Sequence, residues 1–166
     1  VTGKKQGREL MTEGVGLYRS VDGGEHWDKI TTGLTLRWLA DFEIDPRDSR
    51  ILYLGACEDP VRGSEEAGLY KTTNGGRTWN RLIRRSWGHF GATLSPGNPD
   101  CVYMTLVYNG DNGPALWFSR DAGQTWTPFE DYPFCSAQRI CFDPDDANVI
   151  YVTSFGGGVW KGPAEP

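Results

Sequence analysis

Short runs of apolar and β-forming residues alternate with clusters of Asp, Pro, Gly and Asn along this chain. In the clearest unit the runs fall at Leu39–Ile44, Ile51–Cys57, Gly68–Thr73 and Trp79–Ile83. β-Branched and aromatic side chains suit a pleated surface, and the intervening residue types suit turns, so each run predicts a strand. No segment holds a helical period over ten residues, so no helix is expected.

The pattern repeats. "SVDGGEHW" (Ser20 to Trp27), "TTNGGRTW" (Thr72 to Trp79) and "SRDAGQTW" (Ser119 to Trp126) share the template Ser/Thr-x-Asp/Asn-x-Gly-x-x-Trp, at spacings of 52 and 47 residues. A second marker runs in phase, with Pro46, Pro96 and Pro144 spaced by 50 and 48 residues in "IDPRDSRILYLG", "LSPGNPDCVYMT" and "FDPDDANVIYVT". A third, "GLYRS", "GLYKT" or "ALWFS", precedes each box, and "GVWKG" repeats it near the C-terminus. A period near 50 residues holding four strands predicts an all-β chain of antiparallel β-propeller blades. Two full blades span Leu39–Ile83 and His89–Phe129. Strands at Val15–Arg19 and Trp27–Ile30 precede them, and three follow at Gln138–Asp143, Val149–Ser154 and Gly158–Lys161. That makes 13 strands, about three and a quarter blades, in one propeller segment over residues 1–166.

Each box is expected to be the turn between a blade's third and fourth strands. Gly24, Gly76 and Gly123 would take positive φ, where a Cβ clashes. Ser20 with Asp22, Thr72 with Asn74, and Ser119 with Asp121 would accept turn N–H groups. Trp27, Trp79 and Trp126 would bury their rings against neighbouring strands.

These boxes resemble the Asp-box, or BNR, repeat. It occurs in sialidases, xyloglucan-active glycoside hydrolases, sortilin-type receptors and a photosystem II assembly factor. The resemblance covers the chain from Gly16 on. It implies that Asp22 and Asp121 are structural, because the box lies on the face opposite the active site. It also implies that loops joining second to third strands, and blade to blade, carry function. The "GGGVWKG" segment looks like an acceptor for a closing strand.

Net charge changes the picture of partners. Formal charge is −5 and pI near 5.0, which argues against nucleic acid. No run of 18 apolar residues exists, so no membrane span is expected. Cys57, Cys101, Cys135 and Cys141 lack zinc-type spacing, and two disulfides or buried thiols both fit. No metal or cofactor motif is present. The start at Val1 reads as an internal cut, with residues 1–14 a loop or cleaved start and the chain a C-terminal portion. Propellers need four or more blades to close, so the missing blades are expected from another chain or fragment, or from self-association.

The candidate chemistry sits in the long loops. Glu58, Asp59, Glu65 and Glu66 share one loop, and Asp111 lies in another. Glycoside hydrolysis needs two carboxylates flanking the bond. Asp59 and Asp111 are the catalytic candidates, with Glu58 and Asp41 as substitutes. Trp38, Trp87, His89, Tyr108 and Tyr132, with Phe155, offer faces for stacking on sugar rings. The reading is part of a secreted or periplasmic carbohydrate-active propeller, a glycoside hydrolase acting on a polysaccharide. The alternative is a non-catalytic propeller that binds proteins or glycans, as sortilin-like receptors and assembly factors do.

Overall fold

The structure is a computed structural model that describes residues 16–31, 33–34, 38–57, 65–84, 90–106 and 113–165. The side chains of Trp38, Cys57 and Phe90 fall outside that description. The strands in chain order are β1 (Tyr18–Arg19), β2 (Asp28–Lys29), β3 (Trp38–Ile44), β4 (Leu52–Cys57), β5 (Gly68–Thr72), β6 (Asn80–Arg84), β7 (Phe90–Leu94), β8 (Val102–Leu106), β9 (Leu116–Ser119), β10 (Thr127–Pro128), β11 (Arg139–Phe142), β12 (Val149–Ser154) and β13 (Gly158–Pro163). They form sheets ordered β1-β2, β3-β4-β5-β6, β7-β8-β9-β10 and β11-β12-β13, every pair antiparallel. Each sheet is a meander in chain order, as a blade requires.

The core lies between successive sheets. The second strand of each full blade is buried along its length: β4 from Leu52 to Ala56, and β8 from Val102 to Leu106. A strand covered on both faces needs a continuous apolar run rather than alternation, which is what "LYLGA" and "VYMTL" provide. Tyr53, Tyr103, Phe118 and Phe129 contribute the bulk, with the rings of Tyr103 and Phe118 4.9 Å apart.

The three turns share one hydrogen-bond plan. The Ser20, Thr72 and Ser119 hydroxyls each accept from two backbone N–H groups, that of Asp22, Asn74 or Asp121 and that of Gly24, Gly76 or Gly123, the glycine contacts at 2.8, 3.0 and 2.8 Å. Each hydroxyl donates to the Asp22, Asn74 or Asp121 side chain. Those side chains in turn accept the His26, Thr78 and Thr125 amides. The three glycines have φ of +100°, +88° and +90°.

The second and third turns also seat on the outer edge of the preceding sheet. A Cβ on Gly76 would lie 2.5 Å from the Ile30 carbonyl oxygen, and one on Gly123 would lie 2.5 Å from Leu82 Cδ1. The Trp79 indole N–H crosses to the Ile30 carbonyl at 2.8 Å. Arg47 reinforces the contact by bridging Asp45 and Asp100, at 2.8 and 2.7 Å, between adjacent sheets.

One expectation fails here. Trp79 and Trp126 are half-buried, but Trp27 is 49% exposed and its indole donates to Gly24 of its own turn. The ring needs an adjacent strand to cover it, and among the described residues none lies against Trp27's side of β1-β2. Cys101, Cys135 and Cys141 are free thiols.

Candidate functional site

The turns occupy one end of the sheets. At the other end β3, β7 and β11 begin, and β4, β8 and β12 finish, as the pairings Trp38↔Cys57, Phe90↔Leu106 and Arg139↔Thr153 show. The connections after β4, β8 and β12 therefore all leave the sheets at this end. So do the connections that lead from one blade to the next.

A bulge in β3 brings a carboxylate to this side. Leu39 pairs with Ala56 but Asp41 pairs with Gly55, leaving Ala40 extra. Bulges re-aim side chains. Asp41 is half-buried and takes the Phe42 N–H on Oδ1 at 3.0 Å. The neighbouring β7 has glycine where the carboxylate reaches: a Cβ on Gly91 would lie 3.6 Å from Asp41 Oδ2 and 2.4 Å from the Thr105 hydroxyl.

Burial pushes the Asp41 carboxyl above its ordinary range, against the opposing pull of the Phe42 N–H and the Arg139 charge. Glu43 is raised as well, by burial first and by the Asp41 charge second. Residues two apart on a strand share a face, so Asp41 and Glu43 form a pair that favours holding a proton. A carboxyl whose protonated form is favoured is better placed to deliver a proton to a leaving group.

Of the sugar-facing candidates, Asp59, Asp111, Trp87, His89 and Tyr108 lie outside the described residues. Trp38 opens β3, opposite Cys57. Tyr132 is a correction. It is 7% exposed, its hydroxyl donates to the Ser136 carbonyl at 2.8 Å, and its ring packs edge-on against Phe134 and Trp160. It is a core residue with no open face for a sugar. Phe155, in the β12–β13 turn, is 76% exposed, and its N–H donates to the Ser136 hydroxyl. Glu65 and Glu66 answer to Arg84 and Arg81, at 3.1 and 3.3 Å. The sequence reading passes over Glu43 and Gly91. Their signal was an acid at alternate positions in an apolar run, and a small residue at the start of the next blade's first strand. Among the described residues no three His, Cys, Asp or Glu side chains group as a metal site requires.

No family model matches the chain. In sequence it is 28% identical over 141 residues to xyloglucanase Xgh74A of Acetivibrio thermocellus, covering 66% of this chain. The chain spans about 15% of that enzyme's length. In structure it resembles an ancestral GH74 enzyme, with TM-score 0.68 and 20% identity over 92% of this chain and 20% of that one. It also resembles the GH74 xyloglucanase of Xanthomonas campestris, with TM-score 0.53 and 15% identity over 90% of this chain and 33% of that one. YCF48 bound to D1 peptide matches with TM-score 0.55 and 16% identity over 87% of this chain and 44% of that one. The chain is thus a run of β-propeller blades related to the propeller of a xyloglucanase.

Proposed function

We propose that this chain forms part of a secreted glycoside hydrolase propeller acting on a xyloglucan-type polysaccharide. The observation that carries this reading is the sequence similarity to xyloglucanase Xgh74A. The three tryptophan-bearing turns act as Asp-boxes: they hold the blades and take no part in chemistry. The substrate lies across the opposite end of the sheets, where Phe155 offers its ring to sugar faces and Trp38, which opens β3, is kept as a proposed contact. Asp59 and Asp111, in the connections after β4 and β8, are the carboxylates proposed to flank the scissile bond, one as acid and one as base or nucleophile. Asp41, held toward its protonated form by burial, is the substitute acid. Further blades, from another chain or fragment or from a second copy, complete the ring.

The test is release of reducing sugar from xyloglucan by the assembled propeller. Asp59→Ala and Asp111→Ala should each lower the rate by about 100-fold or more, the scale of general acid–base catalysis. An assembled, folded propeller that binds xyloglucan but releases nothing would instead favour a non-catalytic binding role. The likeness to YCF48 bound to D1 peptide supports that second reading.

A further inference from the structure

The tip between β12 and β13 is fixed from two sides. Ser154 pairs with Gly158, so Phe155, Gly156 and Gly157 form the tip. The Ser154 hydroxyl accepts the Gly157 N–H at 2.9 Å and donates to the Gly158 carbonyl at 3.3 Å. The second support comes from residues 132–136, in the connection that leads into the same sheet. The Phe155 N–H donates to the Ser136 hydroxyl at 3.3 Å. Gly157 lies against Phe134, where a Cβ would sit 2.7 Å from the ring.

Residues 132–136 are themselves anchored. Tyr132 donates its hydroxyl to the Ser136 carbonyl and sets its ring edge-on to Phe134, with centroids 5.6 Å apart. The next two amides, of Ala137 and Gln138, donate to the Leu106 and Thr153 carbonyls, both at 2.8 Å. Ser136 is thus buried and pinned on both flanks, yet the ring of Phe155, one hydrogen bond away, stands in solvent. A lone exposed aromatic is ordinary on a protein surface. Here the backbone that carries it is held by a buried hydroxyl. Such holding does not bury the ring, but it lowers the ordering cost of pressing that ring against a ligand.

We propose that Ser136 is a positioning residue for a sugar-stacking contact made by Phe155, and that Tyr132 and Phe134 hold Ser136 and the tip in place. Tyr132 then serves the polysaccharide from inside the core without touching it. The Phe155 ring takes the apolar C–H face of one sugar unit. The tip, "SFGGG", carries no charged side chain, so its occupant is a neutral sugar rather than a uronic acid. The proposal rests on the reading that this end meets a polysaccharide. It adds which ring makes one of the contacts and what holds that ring.

The test is a double-mutant cycle on the assembled protein, reading the affinity for a xyloglucan oligosaccharide by titration calorimetry. Phe155→Ala should weaken binding about tenfold. Ser136→Ala should weaken it about three- to tenfold, for the loss of one hydrogen bond. In the Phe155→Ala background Ser136→Ala should cost nothing further, because its effect passes through the ring. Ser154→Ala, at a partly exposed position, is the second variant and should show the same dependence, with circular dichroism confirming that each protein is folded. Serine variants that leave affinity unchanged, or weaken it equally with and without Phe155, overturn the positioning role. Parent-like affinity of Phe155→Ala overturns the stacking contact and leaves the polysaccharide reading standing. A folded, assembled protein that binds no xyloglucan oligosaccharide sinks that reading and the contact together.

Discussion

A single hydroxyl organises each turn, and its environment decides what it is worth. Ser119 is 2% exposed and serves the Asp121 and Gly123 amides, whereas Ser20 does the same work in an exposed turn. Ser119→Ala strands a buried N–H and should cost about 1–3 kcal/mol. Ser20→Ala lets water substitute and should cost under about 1 kcal/mol. Thermal or urea unfolding of the two variants checks the difference. The carboxylates of these turns are acid-sensitive. Asp121 is lowered from 3.8 to about 2, first by the Thr125 hydroxyl and amide, then by Ser119. A depressed folded-state value means the charge adds stability above about pH 4, and that stability is lost as pH falls toward 2. Asp121→Asn, the residue type already present at position 74, should flatten the urea midpoint over that window. Asp41 runs the other way. Its raised value makes ionisation costly in the folded state, so Asp41→Asn should gain stability relative to the parent as pH rises through the carboxylate range. The turn hydroxyls and glycines were legible because the geometry admits few residue types. Trp27's exposure was not, because burial of a ring depends on the strand beside it and not on the box that contains it.

Among the elements, the second strands are the keystones. β4 and β8 are covered on both faces, and their tyrosines reach across to the next turn. Tyr103→Phe leaves the Ala164 carbonyl without its donor and should cost about 1–2 kcal/mol. Tyr151 holds the same place in β12, but its hydroxyl meets Asp143 at 2.9 Å. Tyr151→Phe should cost less than about 1 kcal/mol, and unfolding of the pair in one denaturant series compares them. Strand positions were legible to within a residue or two, except the start of β1, expected at Val15 and found at Tyr18, and Val149–Ser154 matches at both ends. The bulges at Ala40 and Leu82 were not. An extra residue in a ladder leaves composition unchanged, yet it decides that Asp41 turns toward Gly91 and that Leu82 meets Gly123.

At the scale of the molecule, the strand order of two, four, four and three follows from the phase of the repeats alone. The division into a turn end and a loop end follows from it, because every turn joins third to fourth strands. The identity of the proposed sugar-contacting groups does not follow: Tyr132 is aromatic and adjacent to the loop end, but its hydroxyl and ring are both spoken for inside the core. Composition marks a residue as able to stack, and only packing tells whether a face is left open. The central proposal is that one end of the blades is structural and that the other meets a polysaccharide. Hydrogen–deuterium exchange with and without a xyloglucan oligosaccharide tests it most directly. Protection confined to the ends of β4, β8 and β12 and to the Phe155 turn is the predicted result. Protection at residues 20–27, 72–79 and 119–126 instead would contradict it.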